Sequence, residues 1–227
     1  MKKLSFIIPS KDDPFLERLL HSLHRQTRKD FEVIIMDSSA NSPCLNGLEL
    51  DIKIIHLDCG VGSKRNLGAK LAKSDLLVFV DADMVLPPTF VDEVVKLFEK
   101  NENLVAAGFP IYPTKTNKII NIVYRVLRFL NKFSYRYKKP RIPTGCAVYR
   151  KWIFNHKKFL DLVGEDVLFS SDILKYGEAI YFEKVKVYEE PRRWDRGIKL
   201  LTGMLHYLPS YLLVFLITLP WVHGYGD

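Results

Sequence analysis

Cysteine is scarce in this chain of 227 residues, and the few cysteines present form no motif. Cys44, Cys59 and Cys146 are isolated, and none belongs to a C-x-x-C pair. Their spacing indicates neither a disulfide framework nor a zinc site, and it favours a reducing compartment. The apolar run near the start ends at Pro9 and is too short for the core of an export signal. We therefore expect a cytoplasmic protein.

Acidic residues are absent from one long segment. Between residues 115 and 141 there are nine Lys or Arg residues and no Asp or Glu, so a total charge of +8 leaves −1 for the rest. On a helical wheel from Lys118 to Phe133 the basic and apolar residues take opposite sides, the basic ones being Lys118, Arg125, Arg128 and Lys132. This pattern predicts a basic amphipathic helix. The helix either lies on an anionic membrane surface or packs its apolar side on the core. Nucleic-acid binding is a third interpretation, but no recognisable binding motif accompanies the charge.

Charged residues are absent from a second segment, Leu200 to Val222, which has 23 residues. Polar residues and prolines interrupt it, and its most apolar part, Tyr211 to Leu219, is too short to cross a bilayer. We expect residues 200–227 to form an apolar C-terminal helical segment associated with the membrane. It would lie in the interface or pack on the basic helix, with a true span as the alternative. The protein would then be peripheral or anchored at the cytoplasmic face of the cell membrane.

Apolar and amphipathic stretches alternate along the first half of the chain. The predicted strands are 4–8, 31–36, 52–57, 76–80 and 104–109, and the predicted helices are 14–26, 63–73 and 88–100. Beyond Pro110 the pattern is irregular, with a strand at 145–149, a helix near 167–176 and short strands up to Tyr188. Alternation of this kind predicts an α/β fold, a parallel sheet flanked by helices on both faces. We expect one domain over residues 1–199, with a regular first half (1–110) and an irregular second half (111–199).

The apolar run at residues 76–80 ends in two carboxylates, Asp81 and Asp83. A continuous apolar run reads as a buried strand of a parallel sheet, and such sheets bind ligands at the carboxyl ends of their strands. Residues two apart in an extended chain project to the same side, so both carboxylates can converge on one divalent cation. A polar turn after the strand is the structural alternative.

Five short blocks follow one another along the chain: Ile7–Ser10, Glu32–Asp37, Gly62–Gly68, Phe79–Asp83 and Gly164–Asp166. In this order they resemble the family 2 glycosyltransferases of the GT-A fold, and the ending Pro191–Trp194 resembles small bacterial and archaeal members. The resemblance implies a Rossmann-like, mostly parallel sheet and transfer of a sugar, with inversion, from a UDP or GDP sugar. Residues 1–110 would then be the nucleotide-sugar half of the domain and residues 111–199 the acceptor half. It also implies Mn²⁺ or Mg²⁺ and a lipid-linked or glycan acceptor that reacts through a hydroxyl or phosphate.

The same resemblance implies roles for individual residues. Asp166 matches the base that takes the acceptor's proton, with Glu165 orienting it. Asp83 matches the metal ligand, helped by Asp81. Nucleotide-sugar binding would involve Pro9, Ser10, Asp12, Asp37, Lys64, Arg65, Asp81 and Ala82. Acceptor or diphosphate binding would involve Gly145, Arg192, Arg193 and Trp194.

Each of these assignments has a structural alternative. Asp37 is equally suited to a turn, and Asp166 to a helix cap. The glycines before Lys64 and Arg65 suit an anionic diphosphate at a helix start, although a solvated helix face would explain the two cations as well. Gly60–Arg65 is no dinucleotide fingerprint, because Arg65 stands where the third glycine would be.

Two other functions compete with glycosyl transfer. A sugar-nucleotide nucleotidyltransferase shares the sheet type and the cation, but it needs a glycine-rich loop after the first strand, and residues 10–14 contain no glycine. A non-catalytic membrane-surface scaffold would not require Asp81, Asp83 and Asp166 together. The sequence therefore favours a metal-dependent glycosyltransferase that works at a membrane.

Overall fold

The computed structural model describes residues 2–40 and 47–192. The helices are α1 Leu16–His24, α2 Val61–Leu71, α3 Phe90–Lys100, α4 Lys118–Arg136 and α5 Glu165–Ser170, with 3₁₀ turns at Lys151–Asn155 and Ile173–Lys175. The strands are β1 Leu4–Ser10, β2 Phe31–Asp37, β3 Ile52–His56, β4 Leu76–Val80, β5 Met84–Val85, β6 Leu104–Gly108, β7 Ile111–Pro113, β8 Cys146–Arg150, β9 Glu178–Tyr181 and β10 Val187–Glu189.

Seven strands form the main sheet, in the order β3-β2-β1-β4-β8-β6-β9. The strands β3, β2, β1 and β4 run parallel, whereas β8 is antiparallel to both of its neighbours. The predicted α/β class with a mostly parallel sheet is therefore confirmed. The register places Ser10 beside Asp37, so the polar residues that end these two strands lie side by side at the carboxyl end of the sheet.

Side-chain alternation along the strands divides the core into two layers. In β1, Phe6 and Ile8 face a cluster that includes the apolar sides of α1 and α3, while Ile7 faces a second cluster with α2. Phe79 of β4 belongs to the second cluster and is fully buried. A buried side chain of this size contributes about 2 to 3 kcal/mol, so the strand that carries the site is firmly held.

A small second sheet has the order β5-β10-β7. The sequence patterns do not predict the short strands β5 and β7, because two or three residues are too few to show alternation. The predicted helix near 167–176 is divided into α5 and a 3₁₀ turn, with Ser170 and Ser171 bonding back to carbonyls within α5. Hydroxyls that bond back in this way weaken a helix, which explains the early end of α5.

The described residues contain no helix with both the length and the apolar character that a bilayer crossing requires. The predicted apolar segment 200–227, together with Arg193 and Trp194, lies outside them. By its contacts the chain divides into two compact units, Met1–Glu190 and Pro191–Asp227. All the elements named above belong to the first unit.

Candidate active site

The two carboxylates predicted from the sequence lie directly after β4. The Asp81 amide donates to the Gly145 carbonyl (3.1 Å), so Gly145 lies next to Asp81 at the start of β8. Asp83 is buried, and its carbonyl accepts the Glu190 amide at 3.0 Å. The loop that carries the carboxylates is thus fixed from two sides, by β8 and by the end of β10.

Arg65 connects the end of β4 with the start of α5. Its guanidinium donates to Asp81 Oδ1 at 2.9 Å and also to Glu165 Oε1. Arg65 is almost completely buried, and its guanidinium lies 5.7 Å from the centre of the Phe159 ring. A buried cation held between two carboxylates fixes the relative position of strand and helix. Residues from three distant parts of the sequence therefore form one charged cluster.

Glu165 and Asp166 occupy the first turn of α5. The residue before the helix is Gly164, with a φ of 80°, so Asp166 is not the capping residue that the alternative interpretation expected. Asp166 Oδ1 instead accepts the amide of Val167 at 2.8 Å. Burial raises the pKa of Glu165, Arg65 opposes the rise, and the Asp166 carboxylate adds to it. The helix start thus presents two adjacent carboxylates in different environments.

A second polar pair lies where β1 and β2 end. Asp37 is completely buried, and its Oδ1 accepts from Ser39 Oγ at 2.6 Å. Its Oδ2 accepts no hydrogen bond from the described residues, and His56 Nδ1 lies 3.6 Å from it. Ser10 Oγ is also buried without a hydrogen-bond partner in the described part of the chain. Unpaired buried oxygens are costly, so this pair fits a ligand that supplies N–H and O–H groups.

Lys64 lies underneath this pair rather than on a solvated helix face. It is only 5% exposed, and its ammonium donates to the Ser10 carbonyl and to Ser38 Oγ, both at 2.7 Å. Burial lowers the pKa of Lys64. The structure therefore gives Lys64 a supporting role at the strand ends, and direct contact with a phosphate stays a prediction.

The start of α2, predicted as an anion site, holds a carboxylate from the chain itself. Asp161 Oδ1 accepts the Ser63 amide at 2.9 Å, and Oδ2 accepts Ser63 Oγ. These hydrogen bonds lower the pKa of Asp161. A Cβ on Gly62 would lie 2.4 Å from the Leu160 carbonyl oxygen, so only glycine permits this close approach. We call the contact between Ser63 and Asp161 the clasp.

The donor set suits a hard divalent cation. Asp81 and Asp83 offer carboxylate oxygens, and the described residues contain no group of three or more His, Cys, Asp or Glu side chains placed to hold a metal. Mg²⁺ and Mn²⁺ commonly use one or two carboxylates and take their remaining ligands from phosphates and water. Two carboxylates at the strand end therefore fit such an ion when a diphosphate is bound with it.

The model of the family described as "Glycosyl transferase family 2" matches residues 5–156. The chain belongs to glycosyl transferase family 2. It is 30% identical over 207 residues to the uncharacterized glycosyltransferase EpsJ of Bacillus subtilis, covering 82% of this chain and 59% of EpsJ. It is 31% identical over 121 residues to an uncharacterized glycosyltransferase of Haemophilus influenzae, covering 51% of this chain and 40% of that protein.

Solved structures of other transferases share the fold of this family 2 chain. The mannosyltransferase PcManGT of Pyrobaculum calidifontis, in complex with GDP-Man and Mn²⁺, superimposes with a TM-score of 0.71 at 18% identity and covers 95% of this chain and 63% of that one. TarS of Staphylococcus aureus with UDP-GlcNAc gives a TM-score of 0.62 at 19% identity, covering 83% and 58%. Among the sequence relatives, this chain matches about 40% of the length of the Haemophilus protein and about 60% of the length of EpsJ.

Of the remaining predicted residues of this family 2 chain, Pro9, Asp12 and Ala82 lie near the carboxyl ends of β1 and β4. Pro9 is within β1, Ala82 is buried between Asp81 and Asp83, and Asp12 accepts the Ala40 amide at 3.3 Å. Arg192 is described and exposed, whereas Arg193 and Trp194 are outside. The sequence predictions omitted Asp161 and Glu190. Only their contacts with Ser63 and with the Asp83 carbonyl reveal them, and no local motif marks either residue.

Proposed function

We propose that the chain transfers a sugar from a nucleoside-diphosphate sugar to an acceptor hydroxyl or phosphate. The observation that carries the proposal is the Arg65 cluster, which brings Asp81 of the strand end and Glu165 of the helix start to one guanidinium. A glycosyltransferase needs a diphosphate site and an acceptor base close together, and this cluster joins the two regions.

The donor side of the reaction would use the edge formed by β1, β2 and β4. Asp37 would accept hydrogen bonds from the base or ribose, and the Ser10 hydroxyl would accept or donate one, which fits their unpaired oxygens. Asp83, with Asp81, would hold Mn²⁺ or Mg²⁺ against the diphosphate, and Arg65 would contact the same anion. A bound cation would neutralise charge that develops on the departing diphosphate.

The acceptor side would use the first turn of α5. Asp166 would take the proton of the acceptor O–H while that oxygen forms the new bond to the anomeric carbon. The bond from that carbon to the diphosphate oxygen would break in the same step, so the nucleoside diphosphate leaves and the configuration inverts. Glu165, bonded to Arg65, would keep the helix start in position. The acceptor would be a glycan or a lipid-linked molecule near a membrane.

Nucleotide binding tests the proposal most directly. We expect one nucleoside diphosphate, UDP or GDP, to raise the melting temperature in the presence of Mn²⁺ more than the other nucleotides do. Asp37→Ala should remove that selectivity. Asp51→Ala is the matched control, because Asp51 precedes the neighbouring strand β3 at the opposite, amino end and is exposed. Absence of stabilisation by every nucleoside diphosphate would contradict the proposal.

A further inference from the structure

The outer side of α4 carries a continuous apolar stripe. Its members recur every three or four residues and are all exposed: Ile119, Ile122, Val126, Phe129 and Phe133. Phe129 is 64% exposed and Ile122 60%. The Phe129 and Phe133 rings stack on each other, with centroids 5.8 Å apart. Contiguous exposed apolar surface of this kind marks an interaction site.

The opposite side of the helix fixes its orientation. Tyr124 is buried, and its hydroxyl donates to Glu189 Oε2 at 2.9 Å. Arg128 lies 3.9 Å from the Tyr112 ring centre and donates to the Ile111 carbonyl at 3.0 Å. The helix therefore packs on the small sheet through aromatic and polar contacts, and the apolar stripe takes no part in that packing.

Basic residues border the stripe along one side. Lys118, Arg125 and Arg136 are exposed, and at 100° per residue they project within about 80° of the centre of the stripe. No acidic residue occurs between residues 115 and 141. Two copies of the stripe packed together would bring two such borders close without an acidic partner. Anionic headgroups above an apolar layer match both the charge and the stripe.

We infer that α4 is a membrane-insertion helix, whose apolar stripe enters an anionic lipid surface while its basic border contacts the headgroups. The inference deepens the proposed function and rests on it only for the use of a membrane-borne acceptor. Two of the four basic residues expected to contact lipid are bound to protein instead, since Arg128 packs on Tyr112 and Lys132 pairs with Glu183. The attachment is therefore mainly apolar.

Fluorescence of the full chain tests insertion directly. Phe129→Trp places a reporter in the stripe, and Asn121→Trp, also exposed but outside the stripe, is the matched control. Difference spectra against the parent remove the signal of the three native tryptophans. Vesicles of equal parts phosphatidylcholine and phosphatidylglycerol should shift the Phe129→Trp emission to the blue and leave the control unchanged. Emission already blue-shifted without vesicles would show that the chain or a second copy covers the stripe, and would overturn the inference.

Vesicle sedimentation gives the second test. Replacing Ile122, Phe129 and Phe133 together by Gln should lower the partition coefficient by about 10²-fold. Replacing Arg125 and Arg136 by Gln should lower it by about tenfold and reduce its salt dependence. Transfer to a soluble acceptor should be unchanged in both variants. Equal partitioning of the parent and the stripe variant would overturn the inference. If the parent transfers no sugar to the soluble acceptor, only the proposed function is overturned.

Discussion

The end of β4 and the outer side of α4 reverse the usual distribution of side chains in opposite ways. At the strand end, Arg65 and Asp83 are buried although both are charged. On the helix, Ile122 and Phe129 are exposed although both are large and apolar. The comparison shows that each departure has its own physical cost: buried charges require partners, and exposed apolar groups require a surface to cover them.

The two regions also differ in how their neighbours hold them. Arg65 has partners from β4 and α5, so a change there is transmitted to both elements. Among the described residues the stripe on α4 takes no part in packing the helix, which is held by Tyr124 and Arg128 on the other side. Substitutions should therefore affect chemistry in the first region and association in the second.

The largest expected effect comes from removing a carboxylate after β4. Asp83→Ala should abolish transfer and the metal dependence of nucleotide binding, because the cation would lose its direct protein ligand. Calorimetric titration of the nucleoside diphosphate with and without Mn²⁺ measures this. Identical metal-dependent binding in parent and variant would remove Asp83 from the metal site.

The next largest effect distinguishes a catalytic role of Asp166 from a structural one at the start of α5. Asp166→Asn keeps the oxygen that accepts the Val167 amide but cannot take a proton, so turnover should fall by about 10²-fold or more while stability changes little. Steady-state kinetics together with thermal melts measure the two quantities. Unchanged turnover would leave Asp166 with a structural role alone.

The clasp should give a smaller effect. Asp161→Asn weakens the hydrogen bonds to Ser63, and Ser63→Ala removes one of them, so the loop before α5 should position Glu165 and Asp166 less well. We expect kcat to fall by about tenfold in either variant while the affinity for the nucleotide is retained. Asp172→Asn is the control, because Asp172 follows the carboxyl end of α5 and pairs with Lys157 and Lys175 instead of Ser63. If the clasp variants lose nucleotide affinity instead of kcat, the clasp belongs to the donor site.

The smallest effect concerns the pH dependence of stability. Because the pKa of Glu165 is raised in the folded protein, its contribution to stability is present at low pH and is lost as the pH rises through that pKa. Glu165→Gln keeps a neutral side chain at every pH. The melting temperature of the parent relative to this variant should therefore fall as the pH rises across the acidic range. An opposite trend would mean that the bond to Arg65 outweighs burial.

Local patterns predicted the strand that carries the site. The apolar run Leu76–Val80 is β4 with the same bounds. A strand that is buried on both faces appears in the sequence as a continuous apolar run, so its bounds can be read locally. The placement of Asp81 at its carboxyl end followed from the same run. The site residues that depend on one strand or one turn were therefore accessible from sequence.

Contacts between distant segments were not accessible in this way. Ser63 and Asp161 are 98 residues apart, and neither lies in a pattern that indicates the other. The wheel for α4 predicted amphipathicity correctly but could not decide which side packs inward. That choice depends on Tyr124 meeting Glu189, a contact between elements 65 residues apart.

The position of β8 has a consequence for the order in which the protein can fold. This strand lies between β4 and β6 and joins them, although it follows both in the chain. Until residues 146–150 leave the ribosome, β4 has an open edge and β6 has no neighbour on that side. The joining of β6 to the four parallel strands must therefore wait for residues 146–150, and a chain cut at Pro110 would expose the apolar edge of β4, which favours aggregation.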